Sequence, residues 1–85
     1  MPALCQGKLI LYGTSACHLC ELAEQLLQAA IVGGYPVVFE KVDISESDDL
    51  FERFGVKIPV VRRASGAELC WPFGQVELEC FLRGE

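Results

Sequence analysis

The chain has 85 residues, of which 52% are hydrophobic and 22% charged, so we expect one domain covering residues 1–85 that folds as a monomer around its own core. Its net charge of −5, without any cluster of Lys or Arg, argues against nucleic acid and anionic membrane surfaces as partners. No apolar run is long enough to cross a bilayer, and residues 1–7 lack the basic start of a secretory signal. We therefore expect a cytoplasmic protein.

The first half of the chain predicts a strand, a helix and a second strand. Residues 8–12 are a nearly continuous apolar run, which is typical of a central strand covered on both faces. After a short loop, residues 17–31 predict a helix that ends at the glycine pair 33–34. Residues 36–42 are rich in β-branched and aromatic side chains and predict the second strand. The apolar stripe of the helix consists of Leu19, Leu22, Ala23, Leu26, Leu27, Ala30 and Ile31.

A second helix follows directly. Ser45 is its predicted N-cap, and acidic residues in the first turn match the positive end of the helix dipole. Gly55 is its predicted end. The apolar stripe of this helix is Leu50, Phe51 and Phe54.

The last third of the chain predicts a hairpin and a final helix. Residues 58–61 begin with Ile-Pro and predict a third strand, and residues 68–71 return as the fourth, so the two form an antiparallel hairpin. Residues 75–83 predict the last helix, whose apolar positions are Val76, Leu78, Phe81 and Leu82. The order of elements is β-α-β-α-β-β-α.

Cys17 and Cys20 stand three residues apart at the predicted start of the first helix, directly after a buried strand. Helix geometry brings such a pair close enough to form a disulfide. Unpaired backbone N–H groups and the helix dipole favour a thiolate at Cys17 and lower its pKa, which makes Cys17 the nucleophile and Cys20 the resolving thiol. This arrangement indicates a thioredoxin-like redox centre.

The resemblance to a known family rests on four short segments. They are residues 11–13 (Leu-Tyr-Gly), 17–21 (Cys-His-Leu-Cys-Glu), 58–60 (Ile-Pro-Val) and 68–73 (Glu-Leu-Cys-Trp-Pro-Phe). With the order of elements, they resemble the small bacterial glutaredoxin-like proteins of the thioredoxin superfamily. The resemblance implies a thioredoxin-like α/β fold with a four-stranded mixed sheet flanked by helices. It also implies a redox-active pair, Cys17 and Cys20, beside a cis peptide bond between Ile58 and Pro59, where the backbone of Ile58 would pair with an extended substrate.

The sequence departs from better-known relatives at positions near the substrate. Thioredoxins carry Trp before the first cysteine and Gly-Pro between the pair, and dithiol glutaredoxins carry Pro-Tyr there, whereas this chain has Ala16 and His18-Leu19. Glutaredoxins also hold glutathione with a Gly-Gly and an acidic pair after the hairpin, where residues 71–75 here are Trp-Pro-Phe-Gly-Gln. These departures weigh against a glutathione site of that kind. The basic residues near the Ile-Pro pair are Lys57, Arg62 and Arg63.

Several residues around the pair have two interpretations. A protonated His18 would stabilise the neighbouring thiolate, or its side chain is simply solvated. Tyr12 either lines the site or packs in the core. Cys5, Cys70 and Cys80 are expected to be inert thiols, with Cys80 buried and the other two open to mixed disulfides if exposed.

Together these residues predict a thiol–disulfide oxidoreductase that reduces or exchanges mixed disulfides of proteins or of glutathione. We expect no metal and no dissociable cofactor, with reducing equivalents from glutathione or from a partner like thioredoxin reductase. The alternative is a non-catalytic interaction module, or a carrier of a metal or an iron–sulfur cluster, although zinc usually takes four ligands and only His18 lies near the pair. The predicted substrate-binding residues are His18, Leu19, Ile58, Pro59 and Tyr12.

Overall fold

The computed structural model describes residues 7–15 and 17–84, and within them four strands form one sheet accompanied by three α-helices. The strands are β1 (Gly7–Gly13), β2 (Val37–Asp43), β3 (Val60–Arg62) and β4 (Glu68–Cys70). The helices are α1 (His18–Val32), α2 (Asp48–Phe54) and α3 (Gln75–Leu82), and a 3-10 helix at Ile44–Glu46 precedes α2. The predicted order of strands and α-helices is confirmed. None of the helices in the described ranges has the length and apolar character to span a membrane.

The sheet has the strand order β2-β1-β3-β4. β1 is parallel to β2 and antiparallel to β3, which is in turn antiparallel to β4, so the sheet is mixed and the predicted hairpin is confirmed. The register aligns four strand ends in one row, through the pairs Gly13–Asp43, Tyr12–Val60 and Val60–Cys70. This row lies at the C-terminal end of β1, where the chain enters α1.

The two faces of the sheet bury different side chains, because successive residues of a strand point in opposite directions. Leu9 and Leu11 of β1 pack into the larger core cluster, which includes residues of α1 and α3. Ile10 and Tyr12 point the other way, into a smaller cluster around Phe54 of α2. Burial on both faces explains why the first strand is apolar almost throughout.

The start of α2 differs from the prediction, and the N-cap assigned to Ser45 is wrong. The N-cap is Ser47, whose Oγ accepts a hydrogen bond from the N–H of Leu50 at 3.4 Å. Ser45 lies in the 3-10 helix, and its hydroxyl and its N–H both donate to Oδ1 of Asp43, at 2.6 Å and 2.9 Å. The Asp43 carboxylate accepts both donors of Ser45, and the chain turns once more before the helix begins.

The apolar stripes of the short helices were predicted too broadly. Phe51 of α2 is 56% exposed and Val76 of α3 is 71% exposed, because each helix packs through a narrower face. Cys80 was predicted to be buried and is only half-buried, with its Sγ 3.3 Å from the guanidinium of Arg83. Cys5 lies outside the described residues.

Candidate active site

Cys17 and Cys20 lie where β1 gives way to α1, and they form a disulfide with their Cα atoms 5.2 Å apart. Cys17 is the N-cap of α1, and its Sγ accepts a hydrogen bond from the N–H of Cys20 at 3.0 Å. This bond satisfies one of the backbone donors that a helix leaves unpaired at its N-terminus. In the reduced protein, a thiolate at this position would keep that donor and would face the positive end of the helix dipole.

The residue beneath the disulfide is Gly13, the last residue of β1. A Cβ at this position would lie 2.7 Å from Sγ of Cys20 and 3.1 Å from its Cβ, so the absence of a side chain lets α1 begin this close to the strand. Cys20 is 8% exposed, whereas Cys17 is half-buried. An external partner therefore meets Cys17 first. The predicted strand ended at residue 12 and left Gly13 in the loop after it, although a glycine at the end of a buried strand just before the pair was a usable signal.

The peptide bond between Ile58 and Pro59 is cis, as the resemblance implies. β3 begins only after this pair, at Val60, and Pro59 is fully buried. The N–H of Ile58 donates to the carbonyl of Phe54 at 3.0 Å, and the carbonyl of Pro59 accepts from the N–H of Trp71 at 3.0 Å. The loop is therefore held from both sides, by the end of α2 and by the residue that follows β4.

The register of β1 and β3 places Pro59 level with the last residue of β1, at the sheet end that carries the disulfide. Trp71 lies at the same end, and a second cis bond joins it to Pro72. Its ring contacts that of Phe73 edge-on, with 5.1 Å between the centroids, and both side chains belong to the larger core cluster. One flank of the site is therefore apolar.

The other predicted site residues lie at different depths. Tyr12 is buried, stacks on Phe54 with ring centroids 4.4 Å apart, and faces α2 rather than the side of the sheet that carries the disulfide. Leu19 is 42% exposed in the first turn of α1. His18 is also exposed, and its Nδ1 lies 4.0 Å from Oε1 of Glu21. The structure thus places His18 and Leu19 at the surface beside the disulfide and Tyr12 in the core.

A groove of about 300 Å³ opens beside the disulfide on the β2 side, where α1 and the ends of β1 and β2 meet. Cys17 and Cys20 line it together with four charged residues, Glu21, Glu24, Lys41 and Asp43. Nζ of Lys41 lies 3.3 Å from Oε1 of Glu24, so this ion pair joins β2 to α1. This groove was not predicted from the sequence, because it depends on the pairing of β1 with β2. The signal within one element was a glutamate four residues after each cysteine, the spacing of neighbours on a helix face.

Asp43 ends β2 at the far side of this groove. The hydroxyl of Ser45, and next its N–H, donate hydrogen bonds that hold the pKa of the Asp43 carboxyl below its usual value. The carboxylate is therefore ionised throughout the neutral range.

A family model described as Glutaredoxin-like domain (DUF836) matches residues 8–83. The chain belongs to this family. The X-ray and solution structures of protein XcR50 from X. campestris are each 35% identical to this glutaredoxin-like domain, cover 91% of it and 97% and 94% of their own chains, and have TM-scores of 0.78 and 0.76. Trichomonas vaginalis thioredoxin is 18% identical over 91% of this chain and 77% of that one, with a TM-score of 0.56. The predicted thioredoxin-like α/β fold is confirmed. A comparison with curated proteins finds no match.

Arg62 and Arg63, two of the three basic residues expected near an anionic ligand, are directed elsewhere in this glutaredoxin-like domain. Arg62 lies on the same face of β3 as Val60, which packs toward α2 and away from the disulfide. Arg63 donates from Nη1 to the carbonyl of Phe81 at 2.9 Å and lies over its ring at 4.8 Å, so its charge holds the end of α3. Lys57 follows α2, with its N–H donated to the carbonyl of Phe54.

Two further cysteines, Cys70 and Cys80, lie within the described residues and outside the disulfide. Cys70 and Cys80 are free and half-buried, and Cys70 packs against the smaller cluster on the α2 side of the sheet. Within residues 7–15 and 17–84, no three His, Cys, Asp or Glu side chains are grouped in a way that would hold a metal ion.

Proposed function

We propose that this glutaredoxin-like domain is a thiol–disulfide oxidoreductase in which Cys17 is the nucleophile and Cys20 the resolving thiol. The observation that carries the proposal is the position of the Cys17 sulfur at the N-cap of α1, 3.0 Å from the N–H of Cys20 and within disulfide reach of Cys20. The thiolate is the attacking form of cysteine, and the N-terminus of a helix favours it.

The reaction begins with the reduced protein. The Cys17 thiolate attacks one sulfur of the substrate disulfide, the bond between the two substrate sulfurs breaks, and the other sulfur leaves as a thiolate that takes a proton from solvent. Cys20 then loses its proton and attacks Sγ of Cys17. This step closes the Cys17–Cys20 disulfide and releases the second substrate thiol, so that two electrons have passed from the protein dithiol to the substrate.

The difference in burial supports the division of roles. Cys17 is half-buried and open to a substrate, whereas Cys20 is 8% exposed beside Gly13. A bulky disulfide therefore reaches Cys17, and Cys20 needs to reach only the mixed disulfide formed one helical turn away. Solvent access decides which of two neighbouring thiols meets the substrate.

The loop around Pro59 would orient the substrate. The N–H of Ile58 is already donated to Phe54, so an extended substrate crossing this loop would use the carbonyl of Ile58 as an acceptor. Leu19 and His18, exposed in the first turn of α1, would flank the bound segment on the other side.

Turnover needs a reductant for the Cys17–Cys20 disulfide. Two molecules of glutathione, or one dithiol of a reductase protein, supply the two electrons. The donor is oxidised to a disulfide, and Cys17 and Cys20 return to the dithiol. We propose the cytoplasm as the place of this cycle, because thiols are kept reduced there, the five cysteines are an odd number that cannot all pair, and Cys70 and Cys80 are free thiols.

Trapping of a mixed disulfide tests the assigned roles. The probe is a peptide whose cysteine is joined to thionitrobenzoate by a disulfide. Cys20→Ser should displace the thionitrobenzoate and hold the peptide in a stable mixed disulfide. Cys17→Ser should form none, because only Cys17 attacks. Cys70→Ser is the matched control and should reduce the peptide disulfide as the wild type does. Mass spectrometry identifies the trapped cysteine. Equal trapping by the Cys17 and Cys20 variants would contradict the roles, and a wild type that reduces neither this peptide nor insulin would favour a non-catalytic module.

A further inference from the structure

The two sides of the disulfide differ in chemistry. On the β3 side, the half-buried Trp71 packs against the larger core cluster, next to the buried Pro59. On the β2 side, the groove presents three carboxylates, Glu21, Glu24 and Asp43, and one ammonium group, Lys41. A substrate that reaches Cys17 therefore meets the charged side chains of this groove on its β2 side.

Among the described residues that line the groove, Lys41 is the one cation, and it is already paired. Lys41 lies 3.3 Å from Glu24, which leaves Glu21 and Asp43 to set the sign of the groove. Glu21 is exposed, and its nearest ionisable partner among the described residues is His18 at 4.0 Å. Asp43 is held ionised by its hydrogen bonds with Ser45. A cleft lined mainly by one sign of charge concentrates that field on what enters it.

Three other cations, Lys8, Arg53 and Arg63, are engaged outside the groove. Lys8 pairs with Glu40 at 2.9 Å, and Arg53 lies 3.5 Å from Glu68. Arg63 is bound to the end of α3. The net charge of −5 adds to the negative potential at longer range.

We propose that the groove on the β2 side receives a Lys or Arg side chain next to the disulfide under attack, and that the substrate class is a protein segment with a basic residue beside its cystine. This inference rests on the proposed function and names the substrate of the same site. Glutathione disulfide, which is anionic, is disfavoured by the same carboxylates. The volume of about 300 Å³ accommodates one long side chain, and the carboxylates provide its hydrogen-bond acceptors.

Two peptide disulfides that differ in one residue test the proposal. Each has the same cystine with either Lys or Glu beside it, and the readout is the ratio of kcat/KM for the Lys peptide to that for the Glu peptide. The wild type should prefer the Lys peptide by about five- to tenfold at low ionic strength, since each partly exposed charge pair contributes modestly. The ratio should fall toward one in concentrated salt, because exposed charges are screened.

Charge variants of the groove should move this ratio in opposite directions. Glu21→Gln with Glu24→Gln should lower it to about twofold or less, and Lys41→Gln should raise it by about twofold. The matched controls carry the same charge changes outside the groove: Glu40→Gln with Glu52→Gln, and Lys8→Gln. These controls should leave the ratio at the wild-type value. Because the two groove variants shift in opposite directions, general loss of folding cannot reproduce the pattern.

The outcomes separate this inference from the proposed function. Hydroxyethyl disulfide is neutral, so its reduction by the wild-type protein reports the oxidoreductase activity alone. If the wild type reduces it but shows a ratio near one, or if control and groove variants shift the ratio equally, the inference is overturned and the oxidoreductase stands. If the wild type reduces neither hydroxyethyl disulfide nor either peptide, the proposed function itself fails, and the inference with it.

Discussion

Replacing Gly13 with alanine tests how the strand supports the disulfide. The new Cβ would lie 2.7 Å from Sγ of Cys20 and 3.1 Å from its Cβ, and an undisturbed structure does not tolerate a contact under 3.0 Å. In the oxidised protein the Cys20 sulfur is tied to Cys17 and cannot turn away. In the reduced protein the same sulfur can rotate about the Cα–Cβ bond and relieve part of the overlap. The substitution should therefore penalise the oxidised state more than the reduced one.

The size of the effect follows from the cost of overpacking. Adding a methyl group to a well-packed site costs about 1–3 kcal/mol. For a two-electron couple, about 30 mV corresponds to 1.4 kcal/mol, so the reduction potential should become less negative by up to about 60 mV. The oxidised protein becomes the stronger oxidant, because its disulfide is the destabilised form.

Equilibration of Gly13→Ala in glutathione redox buffers measures the potential, and urea unfolding of both redox states measures the two stabilities. Gly33→Ala is the matched control: it lies at the other end of α1, where its Cβ would meet the carbonyl oxygens of Ala29 at 3.3 Å and of Ala30 at 3.5 Å. The control should shift both redox states equally. If Gly13→Ala also destabilises both states equally and leaves the potential unchanged, the reasoning about this contact is refuted.

Two further predictions concern the segment between β2 and α2. Ser47→Ala should lower the free energy of unfolding by about 0.5–1 kcal/mol. This is the lower part of the range for N-caps, because the hydrogen bond from Leu50 is long at 3.4 Å. Urea denaturation measures the loss, and recovery of stability in Ser47→Thr would exclude a packing effect. Asp43→Asn should be less stable than the wild type above pH 3.8, because the lowered pKa of Asp43 means that its ionised form is stabilised by folding. The difference in the free energy of unfolding should shrink as the pH falls below 3.8 and Asp43 takes up a proton. A difference that stays constant across this pH range would contradict the assignment.

The strands and helices were predictable because their signals are local. The apolar run of β1, the spacing of three and four in α1 and the hairpin of β3 and β4 each reflect burial that the periodicity of a single segment reveals. The N-cap of α2 was missed because Ser45 and Ser47 both suit that role, and the choice depended on Asp43 capturing the N–H and hydroxyl of Ser45. Which of two neighbouring residues becomes the N-cap depends on the backbone geometry, and the residue types alone do not specify it.

Only the part of the candidate site that lies within one continuous segment of the sequence was predictable. Cys17 and Cys20 follow from their spacing at the start of a helix, but Lys41 and Asp43 reach the disulfide through the parallel register of β1 and β2. That register joins segments about thirty residues apart and has no local signature. Tyr12 illustrates the same limit, since its place at the end of β1 suited either the site or the core, and contact with Phe54 decides it.

The Pro59 loop depends on the smaller of the two core clusters. Ile58 is bonded to the last residue of the seven-residue α2, whose anchor is Phe54, while the disulfide lies over the face that α1 and α3 cover. A transient detachment of α2 would therefore loosen the loop proposed to receive the substrate and leave the Cys17–Cys20 pair in place. Local unfolding on one side of the sheet would in this way alter the proposed substrate contacts without displacing the two sulfurs.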